Sequence, residues 1–133
     1  MERRIADNVI TVTTPLDVTF FNAWLDFTAP LHSLTKSERQ VMSYFLKEHY
    51  ELSKVISDDA ILAQVLSSTQ TKQKIMDALN LKAANLQIII YKFKKLGLMV
   101  DGKIKPNLIP AIKEVEETGE FRLMVRFVIR NEH

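Results

Sequence analysis

The stretch Ile75-Met-Asp-Ala78-Leu79-Asn80-Leu81-Lys82-Ala-Ala84-Asn85-Leu86-Gln-Ile88-Ile89-Ile90-Tyr91-Lys92-Phe93-Lys-Lys95-Leu96-Gly97-Leu98-Met-Val100-Asp101-Gly102-Lys103-Ile104-Lys105 decides the fold. Leu86, Ile89, Ile90 and Phe93 recur at three- and four-residue spacing, which places them on one face of a helix over 83–96. Gly97 ends it, because glycine takes the left-handed conformation that closes a helix without steric cost. Upstream, Thr71 to Leu79 predicts a shorter helix with Ile75, Met76 and Leu79 inward. Asn80 tolerates the left-handed turn that stops it, and Leu81 re-enters the core. Downstream, Leu98-Met99-Val100 and Lys103-Ile104-Lys105 flank Asp101-Gly102, the dipeptide that favours a two-residue hairpin loop.

Working outward toward the N-terminus, Ser67-Ser68-Thr69-Gln70 reads as a polar break, and Ser57-Asp58-Asp59 supplies caps and negative charge for a helix whose stripe is Ile61, Leu62, Val65 and Leu66. Thr35-Lys-Ser-Glu38 matches a capping box. It opens a helix from 36 to about 52, with Val41, Met42, Phe45 and Leu46 in phase and His49 near enough to its end to meet open carbonyls. Asp17 to Phe27 carries Phe20, Phe21, Trp24, Leu25 and Phe27 at helical spacing, a short helix expected to stop near Pro30. Residues 3–13, rich in β-branched types from Val9 to Thr13, read as a strand. Toward the C-terminus, Leu108 to Val115 reads as a short helix or turn around Pro110. Glu114 to Glu120 is an acidic turn. Phe121 to Arg130 alternates as a half-buried strand with a basic outer face. The fold class is mostly α with a small β component (α+β).

The stretch from Ile75 to Leu98, together with the hairpin that follows it, resembles the winged helix-turn-helix superfamily. Ala78 stands where close helix crossing wants a small residue, Asn80 where the turn usually has glycine, and Leu81 is the buried turn residue. The passage Phe93 to Val100 is similar to the family's step from recognition helix to wing. The helix from Leu34 to Leu46 would be the first of the module. Lys82 departs from the pattern, standing where members often carry a Ser or Thr cap. The resemblance covers about residues 34–106 of a single domain, and implies a winged helix-turn-helix core. It leaves 1–33 as an N-terminal strand and short aromatic helix, and 107–133 as a C-terminal turn and strand.

The resemblance also implies a duplex-facing surface. With Leu86, Ile89, Ile90 and Phe93 inward, Ala84, Asn85, Ile88, Tyr91, Lys92 and Lys95 point out at about 100° per residue. Asn85 suits adenine, and Lys92 and Lys95 suit phosphates; Ile88 and Tyr91 make an apolar patch that suits a thymine methyl or, equally, a protein contact. Lys82 at the helix start and Lys103 and Lys105 of the wing complete the nucleic-acid-binding set. No arginine stands on this face. A Lys92→Ala change is expected to cost almost nothing in stability.

Charge agrees with an anionic partner. The 133-residue chain has a net charge of only +2, yet residues 71–105 hold eight lysines against two aspartates, a net +6 that leaves −4 elsewhere. Its 47% apolar and 26% charged content is that of a globular domain rather than a disordered or fibrous one. The absence of cysteine excludes a disulfide scaffold, a thiolate metal site and a thiol nucleophile. No apolar run approaches the ~18 residues of a membrane span. Met1-Glu2-Arg3-Arg4, followed by Asp7 and Asn8, does not read as a secretory signal. These features lead to an expectation of a soluble chain in the cytoplasm, or in a virion if phage-encoded.

Catalytic patterns are missing. The sequence has no glycine-rich phosphate loop, Gly-x-Ser-x-Gly or His-Glu-x-x-His, and His32, His49 and His133 have no ligand spacing. Glu114, Glu116 and Glu117 lack an acid–base partner. The expectation is a non-enzymatic protein with no cofactor and no metal, whose leading partner is double-stranded DNA. The alternative is a structural or assembly protein, such as a small bacteriophage virion component packing against other virion proteins, because a fold does not settle a function. The apolar face of the strand at 121–129 is a pairing template unless covered. A homodimer or larger assembly through the terminal strands is therefore expected, and light scattering at micromolar concentration should report more than the 15.3 kDa of one chain.

Overall fold

Thr35 starts the helix on which the other helices lean. In the computed structural model, which describes residues 13–112 and 129–131, its hydroxyl accepts the Glu38 amide at 3.4 Å and the Glu38 carboxylate accepts the Thr35 amide at 2.8 Å. Two of the free donors of the first turn are thus satisfied reciprocally. The elements in order are α1 (Val18–Phe27), α2 (Ala29–His32), α3 (Lys36–Ser53), α4 (Asp59–Leu66), α5 (Thr69–Leu79), α6 (Ala83–Lys95), β1 (Met99–Val100) and β2 (Lys103–Ile104), then a 3-10 turn at Pro106–Leu108. The architecture is mostly helical with one small antiparallel sheet. α3 buries Val41, Met42, Phe45 and Leu46 and packs against α1, α4, α5 and α6.

α1 is capped by Asp17, whose carboxylate accepts the Thr19 amide at 2.7 Å, and it buries Phe21 and Leu25. It ends at Thr28, not at Pro30. Pro30 instead occupies the first turn of α2, where its fixed φ and missing N–H cost nothing. His32 is buried with both ring nitrogens engaged, Nδ1 accepting the Leu34 amide and Nε2 donating to Leu25 O. It is a structural histidine. His49 makes no hydrogen bond to the carbonyls at the end of α3 among the described residues; it is half-buried, and burial lowers its pKa against the opposing pull of Asp59.

Three features of α4 and α5 differ from the expected ones. In α4 the buried face is Leu62, Ala63 and Leu66, while Ile61 is exposed, because the hairpin lies over Ala63. The break after α4 is only Ser67 and Ser68: Ser68 caps α5, which begins at Thr69, and the buried Thr71 hydroxyl donates to Val65 O at 2.8 Å. α5 buries Ile75, with Met76 and Leu79 at the margin, and Ala78 faces solvent rather than a helix crossing.

Asn80 takes φ 53°, and the Leu81 amide reaches back to Met76 O at 2.9 Å, closing α5 with a left-handed residue. α6 then buries Leu86 and Phe93, with Ile89 and Ile90 half-buried on the flanks rather than in the core. Its end is a Schellman motif: the Leu98 amide donates to Phe93 O and the Gly97 amide to Lys94 O, with Gly97 at φ 72°. The hairpin follows at once. Met99 pairs with Ile104 and Val100 with Lys103, and Asp101 (φ 51°) and Gly102 (φ 83°) form the turn; positive φ at both positions is the conformation that matches strand twist.

A turn follows the hairpin at Pro106–Leu108, and of the short helix or turn expected over 108–115 the last three residues lie outside the described ones. Buried Leu108 accepts a 2.7 Å hydrogen bond from the Trp24 indole, tying α1 to the end of the hairpin. The strand expected over 3–13 lies outside the described residues except for Thr13, which is in no regular element. The acidic turn also lies outside them. So does the strand expected over 121–130, except for Ile129 and Arg130, which are exposed and not in regular structure. Among the described residues no helix is long and apolar enough to cross a membrane.

Two substitutions test this packing. Phe93→Ala should lower unfolding free energy by about 3–5 kcal/mol in denaturant titration. Gly102→Ala should also destabilise, since the new Cβ would sit 1.9 Å from the Ala63 carbonyl oxygen; about 1–3 kcal/mol is the scale of such overpacking, and an unchanged melting temperature would show that the hairpin does not rest on α4.

Candidate nucleic-acid interface

α6 divides cleanly by phase. Leu86 and Phe93 define its buried direction, so the opposite meridian runs through Ala84, Ile88, Tyr91 and Lys95 at about 100° per residue. All four are exposed, and Ile88 and Tyr91 are each 67% exposed. Asn85 is exposed in the first turn, on the flank that α6 turns toward the start of α3. Lys82 is the N-cap residue and is exposed, with no side-chain capping bond. Lys94, not among the expected residues, is exposed in the last turn beside Lys95.

Lys92 is placed differently from its neighbours. Its ammonium donates to Glu38 Oε1 at 2.8 Å, the oxygen that also accepts the Thr35 amide. Lys92 is 39% exposed and Glu38 only 13%. Burial alone would push the Glu38 carboxyl up; the Lys92 ammonium and Thr35 outweigh it and hold the pKa below its ordinary value. Lys74 has a parallel arrangement, its Nζ 3.7 Å from Oε2 of the buried Glu48 on α3. Two lysines of the basic window therefore act as tethers from α5 and α6 to α3. Both acids sit at helical spacing from the apolar stripe of α3, Glu38 three residues before Val41 and Glu48 seven after it. That phase was the available signal for their inward direction.

The hairpin presents Val100 and Lys103 outward, opposite the buried pair Met99 and Ile104. Lys105 extends the same outward face, its amide donating to Leu98 O at 2.8 Å. Asp101 is exposed at the tip, whereas Gly102 is buried against the α4 backbone. Lys82, Lys94, Lys95, Lys103 and Lys105 have no acidic partner among the described residues. The surface built by α6 and the hairpin is thus a lysine-bearing rim around a central apolar pair.

Elsewhere the chemistry is sparse. The shallow cleft between α1 and α3 is lined by Asn22, Asp26, Lys36, Arg39 and Gln40, and Arg39 is bound to Asp26 at 2.9 Å across it. Among the described residues no three His, Asp or Glu side chains converge as metal ligands would. The chain matches no family model, no curated protein and no solved structure.

The Glu38 geometry replaces the expectation that Lys92→Ala is neutral. Lys92→Met, which keeps the stem, should cost about 1 kcal/mol. That is the low end for a charge-assisted hydrogen bond, because the lysine remains partly solvated. Stability should also fall with acid in two windows. His49 has a lowered folded pKa, so its contribution is present above about pH 6.5 and is lost as pH falls below it. Glu38 contributes above about pH 4.3 and loses that contribution as pH falls through its lowered folded value. Denaturant titrations across this range should show the lower step disappear in Glu38→Gln.

Proposed function

We propose that the chain is a non-enzymatic protein that binds double-stranded DNA, of the small transcriptional-regulator type, acting in the cytoplasm. On this reading α5 and α6 with the hairpin form a winged helix-turn-helix, and α6 faces the major groove. The observation that carries the reading is the exposure, on α6 and the hairpin, of Lys82, Lys94, Lys95, Lys103 and Lys105 with no acidic partner among the described residues. Such lysines supply the counterion-releasing contacts on which duplex affinity rests. Asn85 is exposed in the first turn of α6, where base edges are read. Lys92 leaves the phosphate-binding set because its charge is committed to Glu38.

One observation favours a second reading. Ile88 and Tyr91 place two large, 67% exposed apolar side chains on the outward meridian, as a protein-packing surface would. On that reading the same fold is an assembly module, for example in a small bacteriophage virion component.

Fluorescence anisotropy with a labelled duplex at stepped salt separates the two. Phosphate contacts from Lys82, Lys94, Lys95, Lys103 and Lys105 give a log–log slope of about −4.5. Replacing Lys103 and Lys105 by Gln should flatten it by about 1.8. Ile88→Asp should weaken binding by repulsion without unfolding the protein. If the module packs against protein, Ile88→Asp abolishes co-assembly and the lysine changes matter little. A wild-type chain with no salt-sensitive duplex binding near 50 mM salt, on the order where such contacts are strong, would sink the DNA reading.

A further inference from the structure

We infer that the outward face of α6 also docks an acidic amphipathic helix of a partner protein, and that this helix occludes the face against duplex. Docking stands on its own observations; occlusion rests on the DNA-binding reading above.

The first observation is the centre of the face. Ile88 and Tyr91 stand three positions apart on one meridian of α6, each 67% exposed, and Ala84 continues the line toward the helix start. A large exposed apolar pair rimmed by polar groups marks a protein-contact surface, and tyrosine is among the residue types that anchor such interfaces. Duplex leaves much of the pair unmatched, since a thymine offers it a single methyl group. The commonest specific base contact, arginine to guanine, has no candidate here: no arginine stands between Lys72 and Lys105.

Charge sets the chemistry of the partner. Lys82, Lys94, Lys95, Lys103 and Lys105 rim the pair and have no acidic partner among the described residues. Asp101 is the one acid from Lys82 to Lys105. Lys82 precedes α6, and Lys94 and Lys95 close it. Cations therefore flank the apolar pair at both ends, about 20 Å apart at a helical rise of about 1.5 Å per residue. The complementary object carries apolar side chains at its middle and carboxylates at both ends.

Shape sets its conformation. Ala84, Ile88, Tyr91 and Lys95 form a convex ridge along one helix. Such a ridge packs into the groove of a second helix, whose own anchors recur at three and four residues. An extended peptide needs an open sheet edge instead, and the strands of the hairpin are two residues long.

The probe is a fluorescein-labelled helical peptide of about 14 residues, long enough to span Lys82 to Lys95. It carries leucines at three- and four-residue spacing in its middle, glutamates at both ends and alanine elsewhere. Anisotropy with the full chain should show saturable binding, weakened about tenfold for each leucine replaced by glutamine at unchanged charge. Ile88→Asp should weaken it by at least about tenfold with the melting temperature unaltered, and Lys94→Gln with Lys95→Gln by about threefold. Unlabelled peptide should displace a labelled duplex at the concentration set by its own affinity, and the glutamine peptide should not. Equal binding of the leucine and glutamine peptides, or binding that survives Ile88→Asp unchanged, overturns docking whatever the duplex does. Peptide and duplex held together on one chain overturn occlusion. Leucine-dependent peptide binding without any salt-sensitive duplex binding supports docking and removes the DNA reading, and occlusion with it.

Discussion

One oxygen of Glu38 holds two helices in register. It accepts the Thr35 amide at the start of α3 and the Lys92 ammonium from α6. Leu86 and Phe93 enter the core and set the rotation of α6, so that Ala84, Ile88, Tyr91 and Lys95 face out. The Lys92–Glu38 pair reinforces that rotation. Glu48 repeats the device one helix away, on Lys74 of α5. Such partly solvated pairs add modestly to stability. Their larger effect is to exclude alternative rotations, since a slipped α6 would leave the Glu38 carboxylate desolvated and unmatched.

Seven of the eight lysines of the 71–105 window fall into two populations. Lys74 and Lys92 are paired with acids of α3, while Lys82, Lys94, Lys95, Lys103 and Lys105 carry charge at the surface; Lys72 is half-buried and in neither set. Surface potential is set by the second group, and the exposed Asp101 and Asp77 oppose only part of it. In the middle of these charges lie Ile88 and Tyr91. The exposed face of α6 and the hairpin is thus an apolar centre ringed by lysine.

Local signals in the sequence were legible wherever one or two residues enforce a backbone conformation. The Thr35–Glu38 box, Asn80, Gly97 and the Asp101-Gly102 turn all form as expected, because each depends on chemistry within a few residues. What lay hidden depended on contacts distant in the chain. Nothing near Ile61 announces that a hairpin forty residues on will cover Ala63 instead. Lys92 and Glu38 are 54 positions apart, so helical phase put Lys92 on the exposed side and only its partner drew it inward. Pro30 was legible as a breaker but equally begins a helix, a choice made by the turn at Thr28. Ala78 is small yet uncrowded, since the α5 core contact falls at Ile75.

The chain contains a single tryptophan, and its indole sits on the seam where α1 meets the turn after the hairpin, bonded to a carbonyl 84 positions away. α1 also packs against α3, so the indole lies where the first helix, the longest helix and the end of the hairpin are brought together. The emission of Trp24 therefore reports whether that seam is closed, and it does so without touching the exposed face of α6.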